Sequence, residues 1–256
     1  IPVVCIYSTF IQRAVDQIIH DVSLQKAHVI FMLDRAGAVP NDGVTHQGVF
    51  DIALFRPVPN VSIYSPCSQN DLRLCFEYAV SNPGAHIIRY PKLSCPTEME
   101  SFKTPVESGK GIFIPATEFV IENITEKELL SRKKRALVVT TGGMYSEVQK
   151  AVRSVILSGG YADIFIMRFI KPFNEEDFIK LAKNYDRIVF VEDGVRTGGI
   201  SEYLSGLLAE ENITNVRILA FDDKYYPHGN RSEVLEMAGL SPSDIGNAIN
   251  SLSQNL

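Results

Sequence analysis

Short apolar runs alternate with helix-like stretches along this chain, and that alternation constrains the fold more than any other feature. Strand–helix alternation with short turns calls for mainly parallel sheets covered by helices on both faces, an α/β fold. Val3–Tyr7 reads as a buried strand. Thr9 and Gln12 fit a capping box, after which Ile11, Val15, Ile18, Ile19 and Val22 recur on one face of a helix. Val29–Leu33, Val61–Tyr64 and His86–Tyr90 read as the next strands, the last two closed by Ser65-Pro66 and by Pro91. Ser68 to about Ser81 reads as a helix that Asn82-Pro83-Gly84 ends.

Between about Leu93 and Arg135 the alternation fails, with Pro96, Pro105 and Pro115 as punctuation. It then restarts. Leu137–Thr140, Ile164–Phe169, Ile188–Val191 and Val216–Ala220 read as strands. Ser146–Leu157, Glu175–Lys183, a run from Gly198-Gly199 to about Glu210, and the tail from Ser232 read as helices. The expected organisation is two α/β units, 1–95 and 136–256, joined by a connecting segment over 96–135.

A 256-residue chain with 45% hydrophobic and 21% charged residues can bury a sizeable core. Its net charge of −5 argues against broad binding to nucleic acid or anionic membranes, which need basic surface. No uncharged apolar run reaches about 18 residues, so no membrane span is expected. The scattered Cys5, Cys67, Cys75 and Cys95 form no Cys-x-x-Cys pair and no metal-ligand spacing. Buried free thiols in a reducing, cytoplasmic setting are expected. The chain starts inside a strand without Met, as a piece of a longer protein would.

The richest stretch for chemistry is Asp34 to Gly48, directly after the second strand. A loop at the carboxyl end of a buried strand is where open α/β proteins place ligands. Arg35 can grip a phosphate or carboxylate through paired hydrogen bonds. His46 can move protons at neutral pH, with Asp42 nearby. The plain alternative is a structural loop with an Asp34–Arg35 surface pair. Tyr7, Phe10 and Arg13 open the first helix at the same sheet edge, and Phe10 and Arg13 share a face. Aromatic and cation together suit a flat heteroaromatic or an anion; a core Phe beside a solvated Arg is the alternative. Arg89-Tyr90-Pro91-Lys92 fits equally a phosphate site or a solvated rim. Arg132-Lys133-Lys134-Arg135 reads as a solvated face. Thr141-Gly142-Gly143 and Thr197-Gly198-Gly199 complete no phosphate-binding fingerprint and read as plain turns. Glu192-Asp193-Gly194 is close to the Gly-Asp-Gly opening of a thiamine-diphosphate site, but Glu replaces the first Gly and no Asn follows at suitable spacing, so it does not qualify.

Tyr-Ser-Thr-Phe-x-Gln-Arg-Ala at 7–14, Asp-Gln-x-x-His-Asp at 16–21, Asp-Arg-Ala-Gly at 34–37 and Asp-Gly-x-Thr-His-Gln-Gly-x-Phe-Asp at 42–51 together resemble the 1-deoxy-D-xylulose-5-phosphate synthases of the transketolase superfamily. Met167 to Pro172 and Pro227-His228-Gly229 agree in order and spacing. The resemblance implies part of a pyrimidine-binding domain followed by a transketolase C-terminal domain. It implies a thiamine-diphosphate- and Mg2+-dependent transferase that condenses pyruvate with D-glyceraldehyde 3-phosphate, with loss of CO2, for isoprenoid and thiamine synthesis. Phe10 would lie against the cofactor's aminopyrimidine, with Tyr7 and Arg13 in the same pocket. Arg35 and Lys92 would hold the substrate phosphate. Asp42, His46 and Tyr7 would serve the reacting groups. Lys92 stands where the family usually has Arg, which keeps charge but loses the bidentate fork. The diphosphate and metal ligands, and the cofactor-activating Glu, would lie upstream in a missing N-terminal half. Hence no independent catalysis is expected of this chain, and a homodimer is the default. The competing readings are a 2-oxoacid dehydrogenase β chain or transketolase half, and a non-catalytic assembly or regulatory module.

Overall fold

The structure, a computed structural model, describes residues 1–119 and 124–251. Two five-stranded sheets form the body of the molecule. The first runs β1 (Val3–Tyr7), β2 (Val29–Asp34), β4 (Ala85–Arg89), β3 (Val61–Tyr64) and β8 (Phe169–Lys171). The second runs β10 (Val216–Phe221), β9 (Arg187–Val195), β6 (Ala136–Thr140), β7 (Ala162–Ile166) and β5 (Ile112–Ile114). In each sheet four strands are parallel and one edge strand is antiparallel: β8 against β3, and β5 against β7. Parallel pairing aligns the carboxyl ends of β1, β2, β3 and β4 along one edge. Tyr7, Asp34, Tyr64 and Arg89 therefore end at the same level.

The expected strand over 164–169 is two strands. β7 stops at Ile166, and the chain then crosses to the first sheet as β8. Arg168, between the two, is buried and donates to Asp71 at 2.7 Å and to the carbonyls of Thr104 and Pro105. The second unit thus supplies an edge strand to the first. A shared apolar core agrees with this: Ile11, Phe31, Ile52 and Phe55 pack in one cluster with Leu137, Phe178, Phe190 and Leu204. Within 96–135, β5 joins the second sheet, and residues 120–123 lie outside the described residues.

The first helix departs from expectation. It begins at Ser8, and Tyr7 caps it with no side-chain hydrogen bond. It then passes through 3-10, α and π turns to Ser23. Thr9 does not cap; its hydroxyl donates to the Thr45 carbonyl at 2.9 Å. Other local signals hold. Ser68 caps the helix Gln69–Ser81 by accepting from Asp71 N. Asn230 and Glu233 form a capping box for Arg231–Met237, and Ser241 and Asp244 do so for Pro242–Asn250. The tail expected to be helical continues into residues 252–256, which lie outside the described residues.

The four cysteines are free, but only Cys67 and Cys75 are buried. Cys5 is exposed because β1 is a sheet edge, and Cys95 because its loop is. Nor is 132–135 uniformly solvated: Arg132 donates to the Ile156 and Gly160 carbonyls, and Arg135 stacks over Tyr161. No helix among the described residues is long and apolar enough to cross a membrane.

Candidate active site

Tyr7 is the last residue of β1, and Phe10 lies one turn into the helix that follows. This short step stacks their rings at 5.3 Å. The Arg13 guanidinium lies over Phe10 at 5.3 Å and that of Arg35 over Tyr7 at 4.1 Å. The His46 ring meets Phe10 edge-on at 5.5 Å. A half-buried aromatic step flanked by cations results.

Arg35 reaches this place through a strained turn. Its φ is 60°, and its backbone N–H donates to Asp34 Oδ1 at 2.7 Å. The expected Asp34–Arg35 surface pair is therefore not a side-chain pair. The Arg35 guanidinium instead ion-pairs with Asp42, to which Lys92 Nζ also comes within 3.3 Å. Both cations use the same oxygen, Asp42 Oδ2. Arg35 Nε has no acceptor among the described residues. The loop closes on itself where Gly37 and Gly48 exchange backbone hydrogen bonds at 2.7 and 2.9 Å. Only glycine fits at 48, where a Cβ would stand 2.2 Å from the Arg35 carbonyl oxygen. The Gln47 side chain holds Val39 N at 2.8 Å. Thr45 Oγ1 lies 3.0 Å from His46 Nδ1.

Tyr7, Phe10, Arg13, Arg35, Asp42, His46 and Lys92 are thus joined by direct contacts at the carboxyl edge of the first sheet. Arg89 is not among them. It is buried and donates to Asp51 at 2.9 Å and to Asp193 at 2.5 Å, across the seam between the sheets. Burial opposes its charge, but Asp193 and Asp51 outweigh that and push its pKa up. Neither a phosphate site nor a solvated rim describes it. Burial would likewise raise Asp193, yet Arg89, Thr141 and Arg231 hold its carboxyl below the usual range.

The glycine turns of the second sheet are closed. Gly142 is pressed on the first unit, where a Cβ would stand 2.2 Å from the Ser65 and Pro66 carbonyl oxygens. At the helix Ile200–Glu210, the buried Glu192 carboxylate accepts from Ile200 N and Ser201 N at 3.1 and 2.9 Å. It occupies the position an anion would take at a helix N-terminus. Sequence reasoning did not single out Arg231, which holds the 34–48 loop at the Ala38 carbonyl. The Asn230 capping box marks the helix start beside Arg231 but says nothing of its contacts.

Two mainly parallel sheets with helices match the fold of a transketolase pyrimidine-binding domain followed by a transketolase C-terminal domain. The models of the transketolase pyrimidine-binding domain and the transketolase C-terminal domain match residues 1–97 and 126–245. The fold agrees. A split-gene transketolase described as an inactive β4 tetramer superimposes with a TM-score of 0.78 at 23% identity, over 98% of this chain and 75% of that one. A Pichia stipitis transketolase variant gives 0.72 at 16% identity, over 97% and 33%. The chain belongs to the transketolase family. Within it, the chain is similar along nearly its whole length to 1-deoxy-D-xylulose-5-phosphate synthases. That of Treponema pallidum is 46% identical over 245 residues, and that of Dehalococcoides mccartyi (strain 195) 35% over 260. The chain spans 37% and 38% of their lengths.

Proposed function

We propose that this chain is the C-terminal part of a 1-deoxy-D-xylulose-5-phosphate synthase, with residues 1–95 as the rest of a pyrimidine-binding domain and 136–256 as the C-terminal domain. The proposed reaction joins pyruvate and D-glyceraldehyde 3-phosphate into 1-deoxy-D-xylulose 5-phosphate and CO2. The observation that carries the reading is the convergence of Tyr7, Phe10, Arg13, Arg35, Asp42, His46 and Lys92 in one contiguous site.

Thiamine diphosphate, once bound, would supply the carbon nucleophile. The residues here fit only its aromatic end, since the Tyr7–Phe10 step offers a flat apolar surface. Among the described residues no group of three or more His, Cys, Asp or Glu could hold a metal ion. On the resemblance to the synthases, the diphosphate and Mg2+ ligands belong to the part of such an enzyme that this chain does not span.

Arg35 and Lys92 are the cations for the acceptor's phosphate. Both rest on Asp42 Oδ2, and a dianion can take either from it by charge-assisted hydrogen bonds. Arg35 Nε is a further donor. The acceptor aldehyde becomes an alkoxide as the C–C bond forms and needs a proton. His46, fixed by Phe10 and Thr45, is the donor, and Asp42 orients the acceptor's hydroxyl. We further propose a homodimer in the cytoplasm.

The test is to assay the full-length protein with thiamine diphosphate, Mg2+ and both substrates. Formation of 1-deoxy-D-xylulose 5-phosphate with equimolar CO2 is expected, and this chain alone should form none. A full-length protein that instead transfers a two-carbon ketol unit between sugar phosphates would replace the reading with a transketolase one.

A further inference from the structure

The loop that carries Arg35, Asp42 and His46 is strained. Arg35 and Asn41 both have left-handed backbone, with φ of 60° and 62°. For residues other than glycine that conformation costs about 1–2 kcal/mol each and persists only where surrounding structure imposes it. The Gly37–Gly48 exchange and the Gln47 side chain close the loop's base. The base also meets the second sheet, since Gly37 lies against the Asp193 side chain and the Val49 carbonyl accepts from Val195 N at 2.9 Å.

Beyond this base, the stretch from Ala38 to Gly43 is held from the far end of the chain. The buried Arg231, at the start of the helix Arg231–Met237, donates from Nη1 to the Ala38 carbonyl and from Nη2 to the Gly143 carbonyl, each at 2.9 Å. Nε faces Glu147 Oε1 at 3.3 Å. One guanidinium therefore links the loop, the 142–144 turn and the helix Tyr145–Leu157. Two residues earlier, the Gly229 carbonyl accepts from Asn41 N at 3.0 Å, at the second strained position. His228 lies within van der Waals reach of a side chain placed at Gly43. The segment 228–231 thus meets the loop at Ala38, Asn41 and Gly43.

We propose that Arg231 is a positioning residue. It clamps the substrate loop to the second sheet, so that this sheet sets the spacing of Arg35, Asp42 and His46 without lending a side chain to the reaction. The planar guanidinium holds its donors in a fixed fork that reaches two carbonyls on different elements, whereas Lys carries a compact charge on a flexible stem and lacks that fork. Glu147 and Asp193 compensate the buried charge. The kinetic part of the inference rests on the function proposed above, while the structural part does not.

The experiment uses the full-length protein with Arg231→Gln and Arg231→Lys, read by amide hydrogen exchange and by steady-state kinetics. In Arg231→Gln, exchange over residues 38–46 should accelerate about tenfold or more relative to β6 and β7. The KM for D-glyceraldehyde 3-phosphate should rise about tenfold while that for pyruvate holds. Arg231→Lys should fall between wild type and Gln in both readouts, and carries the test if the Gln variant does not fold. Loop exchange that is unchanged, or that rises no more than in β6 and β7, overturns the clamp. A loosened loop with an unchanged acceptor KM overturns the positioning role. If the wild-type protein lacks the activity, the exchange result alone decides, so failure of the functional reading is distinct from failure of the clamp.

Discussion

The two sheets share one plan, four parallel strands and an antiparallel edge, yet their carboxyl edges do opposite things. At the first, the backbone turns through left-handed residues and presents half-buried rings, two cations on one carboxylate oxygen, and a histidine. At the second, the glycine turns, which complete no phosphate-binding fingerprint and read as plain turns, are filled from within. Gly142 abuts the first unit, and Glu192 takes the helix N-terminus. The same local signal, a glycine-rich turn after a buried strand, lies at the candidate site in one sheet and at a joint in the other. What separates them is exposure: the ion pairs of the seam are buried, whereas Arg35, Asp42 and Lys92 are in part open to solvent. Arg89, Asp51, Asp193 and Thr141 pair with one another across the seam, with Asp193 Oδ2 left over, whereas the Arg35–Asp42–Lys92 group faces the open edge and keeps Arg35 Nε as an unused donor.

If that contrast holds, substitutions at the joint cost stability and those at the site cost chemistry. The largest effect should come from Arg89→Met, which leaves Asp51 and Asp193 buried without their partner. A loss of about 3–5 kcal/mol is expected, read from urea unfolding. A loss under 1 kcal/mol would show that the seam is not held by this pair. Next is His46→Gln in the full-length protein. Turnover should fall about a hundredfold while the urea midpoint stays within that of wild type. Equal losses in both would make His46 part of the scaffold. Gly142→Ala should cost about 1–3 kcal/mol through overpacking against two carbonyl oxygens, again by urea midpoint.

The smallest effect is a pH slope. Asp193 is depressed in the fold, so its contribution is full above the unfolded carboxylate value of about 3.9 and is lost as pH falls through the lower folded value. Stability measured from pH 5 down to pH 3 should therefore fall less steeply in Asp193→Asn than in wild type. A slope unchanged by the substitution would remove Asp193 from the joint's electrostatics.

Much of the site was legible because its signals are short-range. Tyr7, Phe10 and Arg13 sit within one strand-to-helix step, and Arg35, Asp42 and His46 within one loop. Their residue types carry their chemistry wherever the loop points. Arg89 was misread because a cation at a strand end looks the same whether it faces solvent or carboxylates at 51 and 193. The crossing of β8 into the first sheet was hidden in one apolar run, since a strand's partner is not written in its own residues. Arg231 gave no signal because its partner in the loop is a backbone carbonyl, which every residue has, and its partner Glu147 is 84 residues away. The π and 3-10 turns of the first helix were not legible, since its apolar period reads as α; its ends are tied to other segments by Thr9 on the Thr45 carbonyl and Ser23 on the Pro59 carbonyl.

The measurement closest to the central claim is the acceptor KM of the full-length protein with Arg35→Gln, taken beside its urea midpoint. The account predicts a KM for D-glyceraldehyde 3-phosphate raised about tenfold or more, as for loss of a charged phosphate contact, an unchanged KM for pyruvate, and a midpoint equal to wild type. An unchanged acceptor KM with a lowered midpoint would make the first sheet's edge a joint like the second's, and would contradict it.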